Sequence, residues 1–238
     1  MKDFLIKLID KREICENTFT FTFDISNIDY HFKAGQYAHF TIIDPVTKDK
    51  KGHSRPLSIA SSPHHTDTLM IAARKGSSVF IDNLSQLPSG SQIYISKPSG
   101  SLYLKDNNKS DVVFIAGGIG ITPVRSIIEN AIKNKSSQKI YLFYSNRTQS
   151  QAAFLDEFKQ WSIANKDFKF IPVINDTENK KWDYEFGIID EELLKKYLNV
   201  LSDKIYYIIG PPLMVDFVNN LLREKGIGEE KIFMEKFK

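Results

Sequence analysis

Cysteine is almost missing: Cys15 is the only one in 238 residues. No disulfide can form within the chain, and an iron-sulfur cluster, which needs several thiolates, has no ligand set in it. The five histidines, His31, His39, His53, His64 and His65, share no metal-binding spacing with thiols or carboxylates, so no metal is expected. Long apolar runs are absent as well. No stretch approaches the roughly 20 residues of a membrane span. The N-terminus, Met1 to Asp10, is broken by charge every few residues and lacks the apolar run and small-residue cleavage site of a secretory leader. The expected location is the cytoplasm. Nor is there an excess of one charge: 32 basic residues against 29 acidic ones leave +3, too even a balance for a nucleic-acid binder. The densest basic run, Lys48 to Arg55, reads as solvated loop apart from Arg55.

What is present is core-forming material for two domains, with 17 Phe and 10 Tyr. The first half is written with period two. Thr18 to Phe23 alternates Thr and Phe, and Gln36 to Ile43 and Leu69 to Ala73 are rich in β-formers. Turn signals at Phe32–Gln36, Asp44–Pro45, Ser62–Pro63, Pro88–Gly90 and Pro98–Gly100 separate short strands, as in a small antiparallel barrel, with one helix near Ser78 to Leu87. Beyond the boundary at Asp106–Ser110, apolar strands alternate with helices, the pattern of a doubly wound parallel sheet. Strands are expected near Val112–Ala116, Ile140–Ser145, Phe168–Ile174, Lys204–Ile209 and Lys231–Met234. In the helix over Pro212–Lys225, Met214, Phe217, Val218, Leu221 and Leu222 form the stripe expected to pack on the sheet. Ligands favour the carboxyl ends of parallel strands, so the loops after Ala116, Ser145 and Ile209 are the expected binding loops.

The first of these loops carries the most chemistry. Gly117, Gly118 and Gly120 allow the backbone to approach a pyrophosphate, and the next helix has Thr122 as its expected cap and Pro123 at its first position, so free amides face an anion. Glycines after a strand also serve tight turns alone. At the end of the second strand, Ser145 and Arg147 offer donors to the 2′-phosphate of NADP where a carboxylate would suit NAD. The reading therefore favours NADP(H) over NAD(H).

Gly117–Gly118–Ile119–Gly120–Ile121–Thr122–Pro123 follows Arg55–Pro56–Leu57–Ser58 and precedes Gly210–Pro211–Pro212–Leu213–Met214 and Glu235–Lys236–Phe237. In motif, order and approximate spacing, over nearly the whole chain, this resembles the ferredoxin-NADP reductase family of flavoproteins. The resemblance implies an N-terminal antiparallel FAD-binding β-barrel, residues 1–106, followed by a Rossmann-like parallel-sheet NAD(P)-binding α/β domain, residues 107–238. It implies that Arg55 pairs with the flavin pyrophosphate and that Pro56, Leu57 and Ser58 line the isoalloxazine, Leu57 standing where the family often has Tyr. Arg74, Gly76, Ser77 and Ser78 would meet the same pyrophosphate. Gly210, Pro211, Pro212 and Met214 would lie by the nicotinamide, with Ile209 in place of the family's Cys. Phe237 would cover the flavin, Glu235 would relay a proton near Ser58, and Ser58 and Glu235 are the catalytic candidates. The implied activity is an FAD-dependent NAD(P)H oxidoreductase serving a small carrier such as ferredoxin or flavodoxin. The alternatives are an NAD(P)H-dependent free-flavin reductase and an electron-transfer subunit of a larger redox complex.

Overall fold

The structure, a computed structural model, describes residues 3–104, 110–178 and 181–237. The chain forms two compact units, residues 1–104 with 122–134 and residues 105–121 with 135–238. The expected boundary between 106 and 107 falls outside the described residues.

The alternating segments of the first unit pair into a six-stranded antiparallel sheet. Its strands are β1 (Phe4–Cys15), β2 (Thr18–Asp24), β3 (Tyr37–Ile42), β4 (Ser54–Ser58), β5 (Thr68–Arg74) and β6 (Gln92–Ile95), in the order β4-β3-β6-β1-β2-β5. A bridge between Ile59 and Ile71 brings the two sheet edges together, so the sheet curls towards a barrel. Period-two placement explains its core: Phe21, Phe23, Phe40, Ile71, Ile93 and Ile95 point inward and are fully buried. At the Ala34–Gly35 turn only glycine fits, because Gly35 has φ +97° and a Cβ there would come 1.9 Å from the Leu102 carbonyl. Helix α1 (Val79–Gln86) lies where a helix is expected and is capped by Ser78, whose Oγ accepts from the Ile81 N–H at 3.3 Å.

The second unit is a six-stranded parallel sheet, ordered β10-β9-β8-β7-β11-β12. Its strands are β7 (Val112–Gly117), β8 (Ile140–Asn146), β9 (Phe168–Ile174), β10 (Glu185–Phe186), β11 (Ile205–Gly210) and β12 (Ile232–Lys236). Every residue of β7 and β11 is buried, which is why both read as continuous apolar runs. Helices α2 (Ile121–Lys133), α3 (Leu155–Ala164), α4 (Glu191–Tyr197) and α5 (Pro212–Glu224) fall between strands, and residues 122–134 group with the first unit. In α5 the packed stripe is Val215, Val218 and Leu222, with Met214 and Leu221 partly buried beside it. Phe217, expected on that stripe, lies about half exposed on the flank, since the stripe is centred on Val215.

Among the described residues, no helix is long and apolar enough to cross a membrane.

Candidate functional site

In the first unit the candidate residues gather on β4 and around the start of α1. β4 is an edge strand, a place that tolerates Pro56, which has no N–H to give to a ladder. Leu57 packs on the barrel core, and Ser58 closes the strand, buried and paired in register with Tyr37. Arg55 lies in an ion pair with Asp49, and its Nη1 donates to the carbonyl oxygens of Lys51, Gly52 and Ser54. The basic run that reads as solvated loop is thus folded onto Arg55, the one residue in it with an expected role. At the end of β5, Arg74 has a buried Nε without a hydrogen-bond partner, an orphaned donor of the kind an anion satisfies. Gly76, at φ +79°, turns the chain into α1 and donates its N–H to Asp82 Oδ1 at 2.8 Å. The first turn of α1, with Ser77 and Ser78 ahead of it, adds its own amides and dipole. The Arg74–Ser78 side thus offers an anion such as a diphosphate the unpaired Arg74 Nε–H, its Gly76 N–H being taken by Asp82, while Arg55 is a cation already engaged.

The segment after β4 is held from α2. Arg125 Nη1 donates to the Ala60 carbonyl at 2.7 Å and to Glu129 Oε2 at 3.1 Å. The Ser62 N–H donates to the same carboxylate at 3.1 Å, and Ser126 Oγ donates to the Ser61 carbonyl at 2.7 Å. His65 Nε2 lies 2.6 Å from Glu129 Oε1. Burial alone would raise the Glu129 pKa, but the His65 hydrogen bond, the Arg125 charge and the Ser62 N–H outweigh it and hold the carboxyl below its ordinary value. No sequence signal singles this cluster out, because its members are ordinary polar residues until the fold brings them together.

In the second unit the strand order reverses about β7, with β8 on one side and β11 on the other, and in open α/β sheets such a switch point is where ligands bind. Two expected loops meet there. A Cβ on Gly117 would lie 2.7 Å from the Met214 sulfur and 2.8 Å from Pro211 Cδ, and one on Gly120 would lie 2.8 Å from the Ile209 carbonyl. These two glycines therefore give room to the neighbouring Gly210–Met214 turn. Gly118 differs: its φ is +52° and a Cβ there would meet nothing within 4 Å, so its open side is available to a ligand. Thr122 does not cap α2. Residues Gly118–Gly120 form a 3-10 turn that runs directly into a helix beginning at Ile121, which puts Thr122 and Pro123 inside the first turn. Pro123 has no N–H to give, and its fixed φ suits the helical backbone there.

Ser145 is half-buried at the end of β8, and Arg147 beyond it is exposed. Between them Asn146 is buried, and its Oδ1 has no hydrogen-bond partner; nothing in the sequence marks it out from its two neighbours. Gly210, at φ +155°, ends β11, and Pro212 opens α5. On β12, Glu235 is aligned with Ile209, and the Phe237 N–H donates to the Gly210 carbonyl at 2.9 Å. Burial pushes the Glu235 carboxyl above its ordinary pKa. The Gly210 turn, Glu235 and Phe237 thus share one end of the parallel sheet. Among the described residues, no group of three or more His, Cys, Asp or Glu is placed to hold a metal.

Residues 114–220 match the model of the oxidoreductase NAD-binding domain. The chain is 27% identical over 230 residues to the F component of the Na(+)-translocating NADH-quinone reductase of Idiomarina loihiensis, covering 90% of this chain and 55% of that protein. It is 28% identical over 197 residues to terephthalate 1,2-dioxygenase, reductase component 1, of Comamonas sp, covering 82% and 56%. The chain therefore spans just over half the length of these curated relatives. Among solved structures, a ferredoxin NADP+ reductase from Neisseria gonorrhoeae with bound FAD and NADP superposes with TM-score 0.82 at 23% identity over 99% of each chain. The cytochrome b5 reductase domain of Ulva prolifera nitrate reductase superposes with TM-score 0.84 at 18% identity, over 98% of this chain and 97% of that one. At these identities the structural likeness is one of fold: an antiparallel sheet followed by a parallel sheet with helices.

Proposed function

We propose that the chain, which carries an oxidoreductase NAD-binding domain, is an oxidoreductase of ferredoxin-NADP reductase type that oxidises NAD(P)H through a flavin and delivers the electrons to a small carrier such as a ferredoxin or flavodoxin. Holding a flavin would let the protein take one hydride from NAD(P)H and pass its two electrons singly to two carrier molecules, with one proton released. A bound flavin supplies this exchange between two-electron and one-electron chemistry. The protein's part is to bind, orient and hold protons. Arg74, Gly76, Ser77 and Ser78 would receive the flavin's diphosphate, with Arg55 joining them, and Pro56, Leu57 and Ser58 would line its ring. The turn over Gly118–Gly120 would receive the pyrophosphate of the coenzyme. Gly210, Pro211, Pro212 and Met214 would orient the nicotinamide, Phe237 would stack on a ring, and Glu235, holding its proton to higher pH than an ordinary carboxyl, would serve proton transfer.

The observation that carries the reading is the meeting of the loops after β7 and β11 at the switch point of the parallel sheet, with the Cα face of Gly118 open beside them. Ser145 and Arg147 favour NADPH. The orphaned, buried Asn146 Oδ1 supports a second reading, NADH, because a ribose 2′-hydroxyl can donate to it and a 2′-phosphate cannot. The test is reduction of ferricyanide by each coenzyme with and without added FAD. FAD-dependent turnover with either coenzyme supports the proposal, and the ratio of kcat/KM values decides between them. Failure with both, in protein shown to be folded, overturns it.

A further inference from the structure

The cation assigned to the flavin's phosphates already has an anion. Between β3 and β4 the chain folds back on itself and is pinned to α1: the Thr47 N–H donates to Asn83 Oδ1 at 3.0 Å, and Asn83 Nδ2 donates to the Thr47 carbonyl at 2.8 Å. Asn83 is itself buried. Asp49 then organises the turn. Its Oδ1 accepts from the Lys51 N–H at 2.9 Å, its carbonyl accepts from the Gly52 N–H at 2.9 Å, and its Oδ2 is ion-paired with Arg55 Nη2. Arg55 Nη1 spends its hydrogens on the carbonyls of Lys51 at 3.0 Å, Gly52 at 3.2 Å and Ser54 at 2.7 Å. The pair is well covered, its side chains 16% and 14% exposed, with the Phe80 ring 5.9 Å from the guanidinium. A carboxylate and a phosphate present the same kind of acceptor oxygen to a guanidinium fork. A phosphate at Arg55 therefore meets a charge that Asp49 already neutralises and competes with that carboxylate for it.

We infer that Asp49 is a specificity-determining residue for the flavin, an internal competitor that weakens phosphate-bearing flavins relative to riboflavin and so keeps the flavin exchangeable. The inference rests on the flavin-binding reading of Arg55 given above. It names the residue that sets how long the flavin stays, and with it where the protein stands between a tight flavoprotein and a reductase of free flavin.

The test is a set of dissociation constants for FAD, FMN and riboflavin, read from flavin fluorescence at low ionic strength. The proteins are wild type, Asp49→Asn, Arg55→Gln and the double variant, each checked for folding by circular dichroism. Asn retains the oxygen that accepts from Lys51 and turns an uncharged NH2 group, in place of the carboxylate oxygen, towards Arg55, which removes both the charge and the acceptor. A charge-assisted hydrogen bond released to the ligand predicts FAD and FMN about tenfold or more tighter in Asp49→Asn, with riboflavin unchanged. Because the effect passes through Arg55, it vanishes in the double variant compared with Arg55→Gln. If wild type binds flavin and Asp49→Asn leaves FAD affinity unchanged, lowers it, or raises riboflavin affinity equally, the role of Asp49 is refuted while flavin binding stands. If no variant binds any flavin, both fall together.

Discussion

Two carboxylates whose pKa values move in opposite directions report different kinds of burial. Glu235 is partly buried, and desolvation raises it. A raised pKa gives a stability contribution that is full below the ordinary carboxylate pKa and is lost as pH rises through the folded value. Glu235→Gln is therefore expected to match wild type in melting temperature at acidic pH and to become the more stable protein as pH rises. Glu129 is lowered despite burial, because His65, Arg125 and the Ser62 N–H favour its charged form. Its contribution is present above the ordinary carboxylate pKa and lost as pH falls through the folded value. At neutral pH, Glu129→Gln removes the buried negative charge that faces Arg125 and His65 and is expected to cost about 3 kcal/mol, measured by urea unfolding, with the difference closing towards low pH. At this scale the sequence was legible only where residues sit in motifs. Glu235 and Ser58 are candidates by their neighbours in the chain, whereas Glu129 and Asp49 act through partners that folding supplies.

Among the elements, period two and apolar runs placed β2, β7, β8, β9 and β11 within a residue or so, because each carries a local alternating or continuous apolar pattern. The entry to α2 was less legible. Thr122–Pro123 has the residue types of a cap and first position, but the 3-10 turn over Gly118–Gly120 starts the helix earlier. The glycines of this turn also divide in function, which spacing alone does not reveal. Gly117→Ala puts a methyl 2.7 Å from the Met214 sulfur and is expected to lower stability as well as coenzyme binding. Gly118→Ala meets open space, and its left-handed backbone costs only about 1 kcal/mol. If this backbone receives the coenzyme's pyrophosphate, Gly118→Ala raises the coenzyme Kd about tenfold, by calorimetric titration, with at most a small change in melting temperature. Gly35→Ala, with its Cβ 1.9 Å from the Leu102 carbonyl at φ +97°, is expected to cost about 3 kcal/mol, read as a lowered urea midpoint.

For the whole molecule, the change of grammar from period-two strands to strand–helix alternation announced an antiparallel sheet followed by a parallel one, and that is the fold. The grouping of residues 122–134 with the first unit was not legible, since it depends on Arg125, Ser126 and Glu129 finding the backbone of Ala60–Ser62. The central claim is that this chain passes electrons from a reduced nicotinamide to a flavin. Its most direct test is an anaerobic titration of the FAD-supplemented protein with NADPH and with NADH, followed at the flavin absorption band. The predicted result is bleaching that is complete near one equivalent of coenzyme per flavin, with at least one of the two coenzymes. A flavin band that neither coenzyme changes, in folded protein, would contradict it.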